Sequence, residues 1–80
     1  MPFFYFAYDD GEGSGSARDD VGTNLLDISA AIVEASQTMA ELAVDTLPGR
    51  SERLLAIIVR DEFGATRARV SLTFRAEITD

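Results

Sequence analysis

Five carboxylates, Asp9, Asp10, Glu12, Asp19 and Asp20, flank Gly11, Gly13 and Gly15. Loops rich in oxygen and glycine are where a hard cation such as calcium is held. A calcium loop of the EF-hand type needs acids at alternating positions, a central glycine and a terminal bidentate glutamate. That spacing is missing, so the stretch reads as a solvated acidic loop, with an adventitious cation as the lesser alternative. Paired carboxylates doing acid–base work would need a pocket that raises the pKa of one of them, and nothing in this stretch encloses them. Ser29, Ser36 and Ser71 lack a base to activate them, because the chain has neither histidine nor lysine. Gly11–Ser16 is no phosphate loop either, since it lacks the lysine and does not lead from a strand straight into a helix. The expectation is a protein that is not an enzyme and that has no cofactor and no metal centre.

A second constellation mixes aromatic and arginine side chains. Phe3, Tyr5, Ile58, Arg60, Arg67, Arg69 and Arg75, with Ala7, Ser71 and Thr73 among them, fall on one side of the strands inferred below. Aromatics and arginine are enriched where proteins meet. The same mixture occurs on sheets that stack single-stranded RNA bases. The bland alternative is a solvated face with stray apolar residues. Arg60, Arg67 and Arg69 have a natural counter-charge in the chain's own Asp9–Asp20 stretch, either folded back or offered by a second copy.

These groups must be positioned by regular elements. From Ala68 to Ile78, Ala68, Val70, Leu72, Phe74, Ala76 and Ile78 alternate with Arg67, Arg69, Ser71, Thr73, Arg75 and Glu77. A period of two sends alternate side chains to opposite faces of a sheet. Leu55, Ile57 and Val59 alternate likewise, and the turn Asp61-Glu62-Phe63-Gly64 joins the two runs, so Leu54–Ile78 reads as a β-hairpin. Phe3–Tyr8 is a first strand, apolar on both sides. Ala17-Arg18-Asp19 is a weak candidate for a returning strand, and Asp19-Asp20-Val21-Gly22 reads as a turn. Asp27 is the helix N-cap, and Ile28, Ala31, Ile32, Ala35, Met39, Leu42, Ala43 and Thr46 form one stripe at helical spacing. Pro48-Gly49 ends that helix.

The predicted fold is α+β: a three- to four-stranded antiparallel sheet with one amphipathic helix packed on one face, in a single domain, residues 1–80, with a flexible acidic loop at 9–18. Its expected core is Phe4, Phe6, Tyr8, Ile28, Ile32, Ala35, Met39, Leu42, Leu55, Ile57, Val59, Val70, Leu72 and Phe74.

Eighty residues lie near the lower limit for a self-sufficient core. Without cysteine there is neither a disulfide nor a thiolate metal site, which leaves association with another chain as the remaining staple. The net charge is -7, with nine carboxylates against Arg18 alone in residues 1–45, and five against six arginines in residues 46–80. So acidic a chain is repelled by phosphates, which disfavours generic nucleic-acid binding. The apolar start Met1–Phe6 reaches Asp9-Asp10 too soon for a signal peptide or a membrane span, and a soluble, cytoplasmic protein is expected.

Several motifs resemble those of a family of small bacterial proteins known only as a domain of unknown function. That family opens M-P-x-Y-x-F, continues through a D-x-E-G-T-E-L-P-D-L segment and a helix ending near L-P-G, and closes on an I-x-V-R-D-E-x-G hairpin. Matching it here are Met1-Pro2-Phe3-Phe4-Tyr5-Phe6, Asp10-Gly11, Asp19–Ile28 with Ala30-Ala31, Glu41-Leu42-Ala43, Leu47-Pro48-Gly49 and Ile57–Gly64. Departures are a longer Gly/Ser-rich stretch between Gly11 and Asp19, Ala7 at a position often polar, and Phe63 in place of a polar turn residue. The resemblance implies the fold class and no activity. Together these readings lead us to expect a small interaction domain, self-associating through the open sheet face or an exposed strand edge. The alternatives are an acidic, antitoxin-like partner of a basic protein and weak single-stranded RNA binding.

Overall fold

The central strand of the sheet is the most apolar segment of the chain, and the rest is arranged around it. A computed structural model of the protein describes residues 2–9, 17–18 and 22–79. The elements are β1 (Phe3–Asp9), β2 (Ala17–Arg18), β3 (Thr23–Asn24), α1 (Ile28–Thr46), β4 (Glu52–Asp61) and β5 (Thr66–Arg75). All pairings are antiparallel, in the order β2-β1-β4-β5, with β3 also pairing β1. This is the expected α+β fold. The weak returning strand forms as a two-residue bridge at Ala17–Arg18. A second such bridge, β3, lies just after the predicted Asp19–Gly22 turn, at positions where the sequence suggested no element, and its two residues are too few to show any periodicity.

Leu55, Ile57 and Val59 on β4 meet Phe4 on β1 and Ala31, Ala35 and Met39 on α1 to form the buried core. Alanines at the contact let the helix approach the sheet closely, over β4 and β5. Asp27 caps the helix: its Oδ1 accepts from the Ala30 N–H at 2.9 Å, satisfying one of the donors left free in the first turn. At the other end the Leu47 N–H donates to the Ala43 carbonyl at 3.0 Å, and the chain turns through Pro48-Gly49 into β4.

Two core expectations and one strand boundary are corrected. Ile32 obeys the helical spacing but sits at the edge of the apolar stripe and is 41% exposed. Phe74 is only half-buried and lies outside the core, because its cross-strand neighbour is Arg53 rather than an apolar side chain. The last strand stops at Arg75, since β4 begins at Glu52 and offers nothing further to pair with. The Ala76 N–H to Ser51 carbonyl bond, 2.7 Å, is the last link between the two strands, and Ile78 beyond it is 94% exposed.

Ala35 has no exposed surface, so extra methyl groups there have nowhere to go. Ala35→Leu is expected to cost about 1–3 kcal/mol by overpacking. Urea denaturation checks this, with the midpoint falling and the slope unchanged.

Candidate interaction surface

The face of the sheet away from α1 is built by the register of three strands. Tyr5 lies opposite Arg60, while Ala7, Ile58 and Arg69 form one row across β1, β4 and β5. Asp9, Ala56 and Ser71 form the next row, and Leu54 pairs with Thr73. Tyr5, Ile58, Arg60 and Arg69 are thus brought together as the alternation requires. Phe3 lies two residues before Tyr5 at the end of the same face and is 39% exposed.

Part of this face is already occupied by the chain itself. Gly22 has φ +80°, and a Cβ there would stand 2.8 Å from Tyr5 Cε1 and 3.2 Å from Phe3 Cδ2. Only glycine combines that backbone conformation with so close an approach to two rings. Gly22 therefore sits against the aromatics that would otherwise be free to stack a base. Gly64 shares the left-handed conformation, with φ +83°, but has nothing within 4 Å of its missing Cβ. Gly22→Ala is expected to lose about 1–3 kcal/mol from backbone strain alone. The clash adds to that, so its thermal midpoint should fall further than that of Gly64→Ala in paired melts.

Arg67 leaves the arginine set. A register shift between Val59 and Arg60 pairs Val59 with Ala68 but Arg60 with Thr66, making Arg67 the extra residue of a bulge. Its guanidinium reaches Asp61 Oδ2 at 3.5 Å. The other oxygen of that carboxylate accepts from the Phe63 N–H at 2.9 Å and the Ala65 N–H at 3.0 Å, closing the hairpin turn. Partial burial pushes the Asp61 carboxyl upward, but the Ala65 and Phe63 N–H groups and the Arg67 charge outweigh it and hold it below its usual value. A carboxyl with a depressed folded-state pKa stabilises the fold above its unfolded value, here 3.8, and that contribution fades as pH falls through the folded value. Asp61→Asn should therefore melt lower than the parent at neutral pH, with the two melting temperatures converging below about pH 4.

Arg75 is also engaged, its Nε 2.7 Å from Glu77 Oε1 at the exposed end of β5. Asp10, Glu12, Asp19 and Asp20 of the proposed acidic loop lie outside the described residues, as does its contact with Arg60, Arg67 and Arg69. Among the described residues no three potential metal ligands cluster. No described helix is long and apolar enough to cross a membrane.

Two buried positions lie outside both the expected core and the helical stripe that includes the buried Ala31. Arg53 is only 9% exposed and shares strand parity with Leu55 and Ile57. The alternation, extended two residues upstream of Leu55, would have placed it on the helix side. Ala56, on the opposite face, is buried as well. At the start of α1, a shallow groove of about 310 Å³ lies between Phe4, Ile28 and Arg67, flanked by Leu26 and by Phe63, which is 87% exposed.

An antiparallel sheet covered on one face by a single helix, with an open edge and no clustered ligands among its described residues, defines a small two-layer α+β domain. Residues 3–73 match the family described as Domain of unknown function (DUF6894), and the chain belongs to that family. Comparison with curated proteins and with solved structures finds no match.

Proposed function

We propose that this domain is a non-enzymatic protein-interaction module that self-associates through its open sheet face or exposed strand edge. One observation carries the reading. β5 is a ten-residue strand, and among the described residues nothing pairs its outer edge. A long row of unpaired N–H and C=O groups is a ready template for another strand. The apolar side chains left at the surface, Phe3, Leu26, Val33, Val44, Leu54 and Phe63, support it. So does the absence of histidine, cysteine and lysine, which removes most of the side chains that do acid–base or nucleophilic chemistry.

The acidic alternative draws on one flank of α1, where Glu34, Glu41 and Asp45 are all exposed and a basic protein could dock. RNA binding is the weakest of the three, because Gly22 sits on the aromatic rings and the net charge is -7. Sedimentation across micromolar to millimolar concentration separates the first two readings. Self-association requires a species of at least twice the 8.7 kDa chain mass. A single 8.7 kDa species at every concentration overturns it and leaves the basic partner.

A further inference from the structure

We infer that two copies join by antiparallel pairing of β5 with its counterpart about a two-fold axis at Val70, the uncharged flank of α1 closing over the seam. This rests on the self-association reading and specifies its surface.

Backbone direction decides which groups are available. The Asp61 N–H donates to the Ala65 carbonyl at 2.9 Å, and the Ala76 N–H donates to the Ser51 carbonyl at 2.7 Å. Odd-numbered residues of β4 therefore turn their backbone groups toward β5. Their partners in register are even-numbered, Ile57 with Val70 and Leu55 with Leu72. Because direction alternates along a strand, Arg69, Ser71 and Thr73 point their N–H and C=O groups out of the sheet edge.

Charge and paired length then select the register. A two-fold pairing places the same residue of both copies at the axis. An axis at Ala68 opposes Arg67 and Arg69, one at Arg69 sets that residue against itself, and one at Ser71 opposes Arg67 and Arg75. An axis at Leu72 opposes Arg69 and Arg75. Like charges directly across a ladder are destabilising. An axis at Thr73 opposes no like charges but pairs only residues 71–75 of β5, against residues 66–74 for an axis at Val70. With the axis at Val70, Arg69 faces Ser71, Ala68 faces Leu72, and Val70 faces itself, so the apolar side of the sheet continues across the seam.

The helix agrees with this choice. α1 runs opposite to β4: its start lies by Asp61 and Phe63, and its end turns through Leu47–Ser51 into Glu52. β3 and β4 both run antiparallel to β1 and hence parallel to each other, and the rule that parallel strands of one sheet are joined by right-handed crossovers sets which flank of α1 lies over β5. In that geometry the flank overhanging β5 carries Ile32, Ser36, Ala40 and Ala43, none charged. Glu34, Glu41 and Asp45 fall on the flank toward β1. For a chain of net charge -7, the β5 side is where a second copy meets no carboxylate on the helix. Strands about 4.8 Å apart bring two helices seated over β4 and β5 to about 10 Å across the axis, close to helix-packing distance.

The test uses the full chain. Ser36→Glu places a charge on the flank that closes the seam and should raise the dimer dissociation constant about tenfold or more. Gln37→Glu adds the same charge outside that flank and should leave it unchanged. Val70→Cys, in a chain with no other cysteine, should cross-link on mild oxidation, whereas Leu72→Cys should not. Facing residues at this position sit about 4.5 Å apart between Cα atoms, within disulfide range. Each variant is first shown by circular dichroism to be folded. A dimer that ignores Ser36→Glu, or in which Val70→Cys stays reduced, overturns this inference while self-association stands. A wild-type chain that sediments only as monomer overturns both.

Discussion

Every surface of this protein depends on the contact between the odd-numbered side chains of β4 and the alanines of α1. Leu55, Ile57 and Val59 are buried because Ala31 and Ala35 are small enough to let the helix down onto them. That contact fixes which face of the sheet is covered, and with it which face is left to Tyr5, Ile58, Arg60 and Arg69. A one-residue slip of β4 would exchange the two faces entirely. The turn at Asp61 guards against such a slip, since its carboxylate holds two backbone N–H groups and Arg67 at once.

Much of this was legible in the sequence. α1 begins and ends where Asp27 and Pro48 require, and β4 and β5 follow their alternation. The failures have a common cause: periodicity records which residues could share a face and not where a partner runs out. Ile78 continues the pattern past the end of β4 and finds nothing to pair with. Ile32 fits the helical stripe yet sits at its margin and stays exposed. Arg67 keeps strict alternation in sequence while the bulge shifts it toward Asp61. Of the candidate face, the cluster of Tyr5, Ile58, Arg60 and Arg69 was readable, but Gly22 covering Tyr5 was not, because close approach through space leaves no spacing signal.

Uneven charge gives the domain two sides. The acids of α1 gather on one flank, and the other is uncharged from Ile32 to Ala43. Long-range repulsion between two chains of charge -7 is screened within about 10 Å in ordinary salt, so approach is governed by the local composition of the facing surfaces. An uncharged flank beside an unpaired edge is where that local cost is lowest.

Small domains manage an open edge by shortening it, bulging it or charging it. β5 does two of these, since the bulge sits at its first turn and arginines occur at positions 67, 69 and 75. Both devices leave the middle of the strand, from Ala68 to Thr73, with Arg69 as its one charged residue. A bulge at one end and arginine at the other oppose pairing in most registers and permit few. The same residues that protect the edge from indiscriminate strand addition therefore restrict what can pair with it, and Val70 stands at the centre of the stretch left open. Specificity at such an edge comes from the registers that are forbidden, more than from any attraction unique to the one that remains.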